Sequence, residues 1–274
     1  MFKIIRKEIF SPVTYMWEIE APDIASSSKP GQFVIVHHND KSERIPLTIA
    51  DFNVDKGTIT LVIQMVGKTS KEMMSYEAGD SILNVAGPLG EASHIDKVGT
   101  VLFVGGGLGV APIYPQLRAF KEKGNHTISI VGFRSKEIVF WEERFGYFSD
   151  ELIITTDDGS YGEKGLVTEP LKRVISHGGV NLVVAIGPLV MMRACVEVTR
   201  PFGIKTIVSL NPIMVDGTGM CGSCRVSVGN EVKFACIDGP DMDGHIVNFD
   251  ELLIRQKRFD KYEKVALKRF ESSQ

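Results

Sequence analysis

Three of the chain's four cysteines fall within sixteen residues, inside a run so rich in glycine that no helix or long strand passes through it. The run reads Met214-Val-Asp-Gly-Thr-Gly-Met-Cys-Gly-Ser-Cys-Arg225, followed by Phe234-Ala-Cys236. Cys221 and Cys224 form a C-x2-C pair, and eleven residues separate Cys224 from Cys236. Clustered thiols of this kind read as metal ligands before they read as disulfides. An iron–sulfur cluster needs four strongly donating anionic ligands, which thiolates supply. Its loop must also pass close to inorganic sulfide, and Gly217, Gly219 and Gly222 permit that approach.

Three cysteines leave one ligand to be found. Cys195 belongs to a helix-compatible segment of the preceding region, whereas Asp216 lies five residues before Cys221. That is the first-ligand position of the plant-type C-x4-C-x2-C spacing. The expected ligand set is Asp216, Cys221, Cys224 and Cys236. A zinc site of mixed Cys and Asp donors is the rival reading, and a turn with buried, unligated cysteines is the plain one.

The chain around this run is that of a folded globular protein. Its 274 residues suit two ordinary domains plus a small appendage, and 43% of them are hydrophobic. A net charge of −3 points to neither nucleic acid nor an anionic membrane surface as a partner. The longest apolar stretch, Thr100 to Tyr114, is interrupted by Gly105, Gly106, Gly107 and Gly109, so no membrane span is expected. The opening MFKIIRKEIF lacks the apolar core and cleavage site of a secretory signal, which makes the cytoplasm the default location.

The texture changes along the chain. Residues 1–97 hold short β-branched and aromatic runs, such as Thr14–Glu20, Gln32–Val36 and Thr58–Ile63, separated by turn signals. That pattern predicts an antiparallel barrel. Residues 98–210 alternate apolar strand-length runs (Thr100–Val104, Ile128–Phe133, Leu152–Thr155, Leu182–Ile186, Thr206–Ser209) with helix-compatible segments (Ile113–Lys123, Leu166–Ser176, Val190–Thr199). Such alternation predicts a parallel sheet covered on both faces. Residues 211–250 form the cysteine-rich segment, and 251–274 an amphipathic helical tail.

Two further constellations carry chemistry. Val104-Gly-Gly-Gly-Leu-Gly-Val-Ala-Pro112 follows a strand and opens a helix. Gly105, Gly106, Gly107 and Gly109 would let backbone approach a pyrophosphate at a helix N-terminus, with Pro112 in the first turn. The strict G-x-G-x-x-G is absent, and tight strand-to-helix packing is the alternative. Asp157-Asp158-Gly159 and Gly187-Pro188 follow later strands, at the edge where open α/β sheets take ligands. In the first region, Arg44-Ile-Pro-Leu-Thr48 and Val66-Gly67-Lys68-Thr69-Ser70 offer a guanidinium, hydroxyls and a glycine for a phosphate and a polar ring. A surface arginine in a barrel strand is the plainer reading. His37 and His38 read as a strand end, Met73 and Met74 as core, and Met191, Met192 and Cys195 as an apolar helix side. Arg255, Lys257, Arg258 and Lys261 read as a solvated helix face.

Taken in order, these motifs resemble the ferredoxin–NADP reductase superfamily over nearly the whole chain. Within it they look most like the electron-transfer subunits of dihydroorotate dehydrogenase and the small subunits of NADH-dependent reduced ferredoxin:NADP oxidoreductases. The resemblance implies a mixed fold: an FAD-binding β-barrel (1–97), a NAD(P)-binding α/β domain (98–210), a [2Fe–2S] segment (211–250) and a helical tail (251–274). It implies that Arg44, Pro46, Leu47 and Thr48, with Gly67, Lys68, Thr69 and Ser70, hold FAD, Arg44 on the pyrophosphate. The turns Gly105–Pro112, Asp157–Gly162 and Gly187-Pro188 would hold NAD(H) or NADP(H). The implied partner is a larger subunit with flavin and [4Fe–4S] clusters in a heterodimer, with ferredoxin reached through it and electron bifurcation as the pair's activity. Two departures stand out. Asp216 replaces the cysteine of the dihydroorotate subunits, which favours the ferredoxin:NADP type. Ile186 stands before Gly-Pro where many relatives have cysteine. A subunit serving dihydroorotate dehydrogenase is the alternative within the superfamily; a zinc-bearing binding module is the alternative outside it.

Overall fold

The computed structural model describes residues 1–272; the last two residues of the expected helical tail lie outside the described residues. Strands β1 (Phe2–Ser11), β2 (Thr14–Glu20), β3 (Phe33–His37), β4 (Ile45–Asn53), β5 (Thr58–Gln64), β6 (Ser81–Ile82) and β7 (Asn84–Leu89) form one antiparallel sheet. Its order is β6-β1-β2-β5-β4-β3-β7, a nearly closed barrel. Two one-and-a-half-turn helices, α1 (Pro22–Ser27) and α2 (Lys68–Met73), close its ends. The run Thr14–Glu20 is a strand because its β-branched and aromatic side chains suit a pleated, buried surface. Tyr15, Trp17 and Ile19 fill the barrel core with Ile4, Ile59 and Leu61.

The second sheet is built from β8 (Thr100–Gly106), β9 (His126–Phe133), β10 (Glu151–Thr156), β11 (Glu163–Lys164), β12 (Leu182–Ile186) and β13 (Lys205–Ser209), all parallel. Helices α3 (Val110–Glu122), α4 (Glu142–Phe148), α5 (Thr168–Ser176) and α6 (Leu189–Thr199) cover it. On α6 the buried residues Leu189, Met192, Cys195, Val196 and Thr199 recur at helical spacing, so Cys195 is one member of an apolar stripe. The antiparallel hairpin β14 (Arg225–Val228) and β15 (Glu231–Phe234) carries the cysteine loops. The chain then returns as β16 (Asp241–Asp243), which pairs antiparallel with β13 at the edge of the second sheet. One strand of the 211–250 segment therefore belongs to the preceding sheet. The tail forms α7 (Phe249–Gln256) and α8 (Asp260–Glu271).

Helix α4 is not among the helices expected from the sequence, because its EERFGYF mixes charge with aromatics and has a glycine inside; Phe145 is its one buried residue. The two sheets share a core, in which Met16, Ala50 and Val62 of the barrel meet Phe103, Val110 and Tyr114. An ion cluster crosses the same junction: Asp51 of β4 accepts from Arg118 of α3 at 2.7 Å and lies 3.5 Å from Arg144 of α4. The Asp51 and Arg118 side chains are each about four-fifths buried, so the pair is only lightly screened by water. Asp51→Ala leaves two mostly buried guanidinium groups without their shared carboxylate. It is expected to cost about 2 kcal/mol and to lower the melting temperature by roughly 4–8 °C, measured by calorimetry on the variant and the parent.

Candidate functional site

At three places where the sequence suggests ligands, the structure departs from regular helix or sheet. The first is a slot in the barrel. The first half of β4 pairs with β3 (Phe33↔Thr48, Val34↔Leu47, Ile35↔Pro46, Val36↔Ile45), while its second half pairs with β5 from Ile49 onward, past a register shift between Ile49 and Asp51. Ile45–Thr48 thus have no ladder partner on the β5 side. Unpaired backbone beside half-buried side chains is a place for a flat polar ligand. Pro46 fits such an edge because it has no N–H to lose. Arg44 stands exposed at the mouth, and among the described residues its guanidinium has no ion pair.

Across the slot lie Val66-Gly67 and α2. Ser70 Oγ accepts from the Val66 and Gly67 N–H groups at 3.1 Å and donates to the Gly67 carbonyl, so it closes the turn. Thr69 Oγ1 donates to Glu43 at 2.9 Å, tying α2 to the approach to Arg44. Lys68 pairs with Glu72 at 3.4 Å, on the helix side. No side chain lies within 4 Å of a Cβ built on Gly67, so the turn is open on that face. Of the residues the sequence singled out here, Arg44 is exposed and Gly67 open, Pro46 and Thr48 are half-buried on β4, Leu47 packs against the barrel core, and the Thr69 and Ser70 hydroxyls already have partners.

The second place is the C-terminal edge of the parallel sheet. β8 lies between β9 and β12, and the chain leaves it in opposite directions on the two sides, a topological switch point. The glycines there divide by role. A Cβ on Gly109 would lie 2.2 Å from the Ile186 carbonyl, and one on Gly106 would strike Met191 Sδ. Gly105 would crowd Ile113 and Val110. These three allow close packing, as the alternative reading held. Gly107 differs: its φ is +53° and nothing lies within 4 Å of its Cβ direction. It presents bare backbone to open space just before α3, with Pro112 in the first turn of that helix. Gly187 and exposed Pro188 border the same crevice. Asp158 binds the N–H and hydroxyl of Ser160 at 2.9 and 2.6 Å, and the Ser160 hydroxyl holds its carboxyl below the usual range. It shapes the turn that Gly159 completes at positive φ. Asp157 is exposed at the turn's start. Ser160 Oγ also accepts from the Lys136 N–H at 2.8 Å, so the loops after β9 and β10 are joined.

The third place is the cysteine-rich loop. Cys224 and Cys236 are buried with their sulfurs 3.2 Å apart and unbridged, while Cys221 is exposed at the loop tip. Burial pushes the Cys236 thiol up to about 12, with its Cys224 neighbour adding to the effect. Burial raises Cys221 as well, but backbone N–H groups aimed at its sulfur, Ser223's first, outweigh it and leave this thiol below its ordinary value. Gly217, Gly219 and Gly222 all adopt positive φ, a region that favours glycine, so the loop turns sharply around the thiols. Asp216 sits on the same loop; its Oδ1 accepts from Thr218 at 2.9 Å and its Oδ2 from Cys221 at 2.7 Å. The Thr218 N–H holds the carboxyl below its usual range, so Asp216 is anionic. Among the described residues no three of these donors converge on a single-ion position. Paired sulfurs, a third exposed thiol with N–H groups aimed at it and an adjacent carboxylate suit a multinuclear cluster at the surface. Cys195 lies elsewhere, in the core of the second sheet, its thiol pushed up to about 12 by burial.

The loop rests on the barrel. Cys224, Cys236, Met214 and Ala235 share a core with Phe33 and Ile35 of β3, and Leu89 of β7 packs against it. A Cβ on Gly217 would lie 2.9 Å from Ile35 and from Leu89. Phe33 is also the cross-strand partner of Thr48. The cysteine loop and the slot therefore both border Phe33, one by packing on its side chain and the other by pairing with its strand. One expectation fails here. Lys257, Arg258 and Lys261 are exposed, but Arg255 is half-buried and its Nη2 donates to the Ser223 carbonyl at 3.0 Å. The tail's charge pattern gave no signal of this, because the contact depends on where α7 lands.

A barrel with a ligand slot, a parallel sheet with a dinucleotide crevice and a surface loop of thiols define an oxidoreductase of the ferredoxin-reductase type with FAD, NAD(P)H and an iron–sulfur cluster. Residues 211–248 match the iron–sulfur cluster binding domain of dihydroorotate dehydrogenase B. The chain is 46% identical to an uncharacterized protein from the adh 3′ region of Clostridium beijerinckii, covering 94% of this chain and 90% of the other. It is 43% identical to a homologue of the dihydroorotate dehydrogenase B (NAD(+)) electron-transfer subunit from Thermotoga maritima, covering 98% and 95%. Among solved structures it matches a chain of the NADH-dependent reduced ferredoxin-NADP oxidoreductase with a TM-score of 0.94 and 41% identity, covering 98% of each. The chain belongs to the family of dihydroorotate dehydrogenase B electron-transfer subunits and their homologues.

Two expectations follow from the geometry. Arg44→Ala removes the one unpaired guanidinium at the slot. It is expected to weaken FAD retention by about 1.5–3 kcal/mol, or roughly 10- to 150-fold, read as flavin content after gel filtration. Gly107→Val adds a branched side chain at positive φ into the open crevice. Anaerobic reduction of the bound flavin by NADH is expected to fail in this variant while its far-ultraviolet circular dichroism stays that of the parent.

Proposed function

We propose that this chain passes electrons from a nicotinamide dinucleotide at the sheet edge, through FAD in the barrel slot, to a [2Fe–2S] cluster held by Asp216, Cys221, Cys224 and Cys236. The observation that carries this reading is the shared strand β3. One neighbour of Phe33 is Thr48 of the slot, and the same Phe33 packs in the core that holds Cys224 and Cys236. FAD accepts a hydride as a pair and releases electrons singly, and the cluster carries them one at a time.

The residues divide the work by position. Arg44 neutralises the pyrophosphate, and the unpaired backbone of Pro46–Thr48 with Gly67 lines the flavin. The N–H groups of Lys68, Thr69 and Ser70 at the start of α2 face the phosphate, with the two hydroxyls fixing the turn that presents them. Gly107 and the N-terminus of α3 receive the dinucleotide pyrophosphate, Gly187-Pro188 the nicotinamide side, and the Asp157–Gly159 turn the far end. The exposed Cys221 directs electrons outward. They pass to a larger catalytic subunit, which we take to hold flavin and [4Fe–4S] clusters, with ferredoxin reached through it. The likeness to the NADH-dependent reduced ferredoxin-NADP oxidoreductase, and aspartate at position 216, support an electron-bifurcating heterodimer of that kind. The relatives named for dihydroorotate dehydrogenase B support the second reading, in which the larger subunit oxidises dihydroorotate. Co-purification of the native complex, with its substrate assayed, separates the two.

The ligand set is tested at Asp216, whose two oxygens already hold the N–H groups of Thr218 and Cys221. Asp216→Ala is expected to lose the cluster or hold it poorly. Asp216→Cys is expected to keep it with an altered potential and electron paramagnetic resonance (EPR) signal, and Cys195→Ser to leave it unchanged. Iron content and EPR spectra of the three variants decide. Iron lost from Cys195→Ser and kept by Asp216→Ala would overturn the assignment, and a purified protein with zinc and no visible absorbance would overturn the cluster itself.

A further inference from the structure

The cysteine loop is gripped by the tail helix that follows it. Gln256 Nε2 donates to the Asn211 carbonyl at 3.1 Å, where the loop begins. Arg255 Nη2 donates to the Ser223 carbonyl at 3.0 Å, between Gly222 and Cys224. Beyond the cysteines, Ser227 Oγ donates to Glu251 at 2.5 Å. α7 is itself firmly seated: Asn248 caps it through the Glu251 N–H, and Leu252 is buried in the core that holds Val226 and Val228. Arg255 is thus presented to the loop by a fixed support. Its Nε is buried and has no hydrogen-bond partner among the described residues. A guanidinium with a buried, unmatched N–H is held at a cost, and its charge faces the residues that carry the thiols.

We propose that Arg255 is a positioning residue for electron transfer: it fixes the Cys221–Cys224 turn and raises the reduction potential of the cluster. The inference rests on the reading of 211–248 as a [2Fe–2S] segment. Reduction adds one electron to a centre already surrounded by anionic ligands. A fixed cation beside it stabilises the reduced form more than the oxidised one. Hydrogen bonds and charges around a cluster are among the levers that set its potential. Arg255 supplies both, a permanent charge and a bond to the peptide that precedes Cys224. Arg258, three residues on, is exposed, so water screens its charge, and among the described residues no hydrogen bond runs from it to the loop.

The test is an EPR-monitored redox titration of the complete protein with its cofactors. The variants are Arg255→Gln, Arg255→Lys and the control Arg258→Gln. Arg255→Gln is expected to keep its iron and lower the one-electron reduction constant roughly tenfold, about 59 mV to the negative, with a changed EPR line shape. Arg255→Lys is expected to stay near the parent potential, and Arg258→Gln to match it. Should Arg255→Gln lose iron while Arg255→Lys keeps it at the parent potential, the positioning role stands. A parent potential in an iron-replete Arg255→Gln protein overturns the proposal, as does loss of iron from both Arg255 variants. Failure of the cluster reading is separate, since the parent protein would then show no [2Fe–2S] signal.

Discussion

The architecture depends on one close contact, the cysteine loop lying flat on the barrel strand β3. Gly217 makes it possible, because any side chain there would run into Ile35 and Leu89. Once the loop lies there, Cys224 and Cys236 share a core with Phe33 and Ile35, and two sites distant in sequence become neighbours. Loop residues near 217 and strand residues near 48 would otherwise have no reason to meet. The junction itself is apolar, with Met214 and Ala235 joining the two cysteines against Phe33 and Ile35.

The glycines at the sheet edge show how one sequence signature serves two purposes. Gly109 has no room beside the Ile186 carbonyl, Gly106 faces the movable Met191 side chain, and Gly105 packs tightly against Ile113 and Val110. Gly107 instead has a positive φ and open space in front of it. A motif count treats the four alike, and only their surroundings tell them apart. The same holds for the Asp157–Gly162 turn, where Asp158 is a structural anchor and its neighbour Asp157 is free.

Much of the fold could be read directly. The strand Thr14–Glu20 and the strand Leu182–Ile186 have the bounds their residue types predict, because both are buried enough for propensity and environment to agree. The cysteine loop was legible because thiol spacing is restrictive. Three features were not. β16 is three residues long and is held in place by its register with β13, a long-range pairing that leaves little trace in the local sequence. The barrel slot comes from a register shift between Ile49 and Asp51. Arg255 looked like one more charge on an exposed helix, because a charge pattern does not say which face another segment will cover. Pairing partners and docking faces are tertiary facts, and they account for the parts of the site that spacing alone missed.

The return of β16 to the parallel sheet has a mechanical consequence. The cysteine segment leaves that sheet at β13 and rejoins it three strands later, so both its ends are anchored to the dinucleotide half of the molecule. Its middle leans on the barrel half through Gly217 and the Glu91–Gly239 backbone bond. A segment pinned to both halves cannot shift with one without straining against the other, so the place of the thiols on the face of β3 is set by how the two sheets pack. Asp51 and its two arginines tie the same two halves together, as a second fastening beside the loop's own.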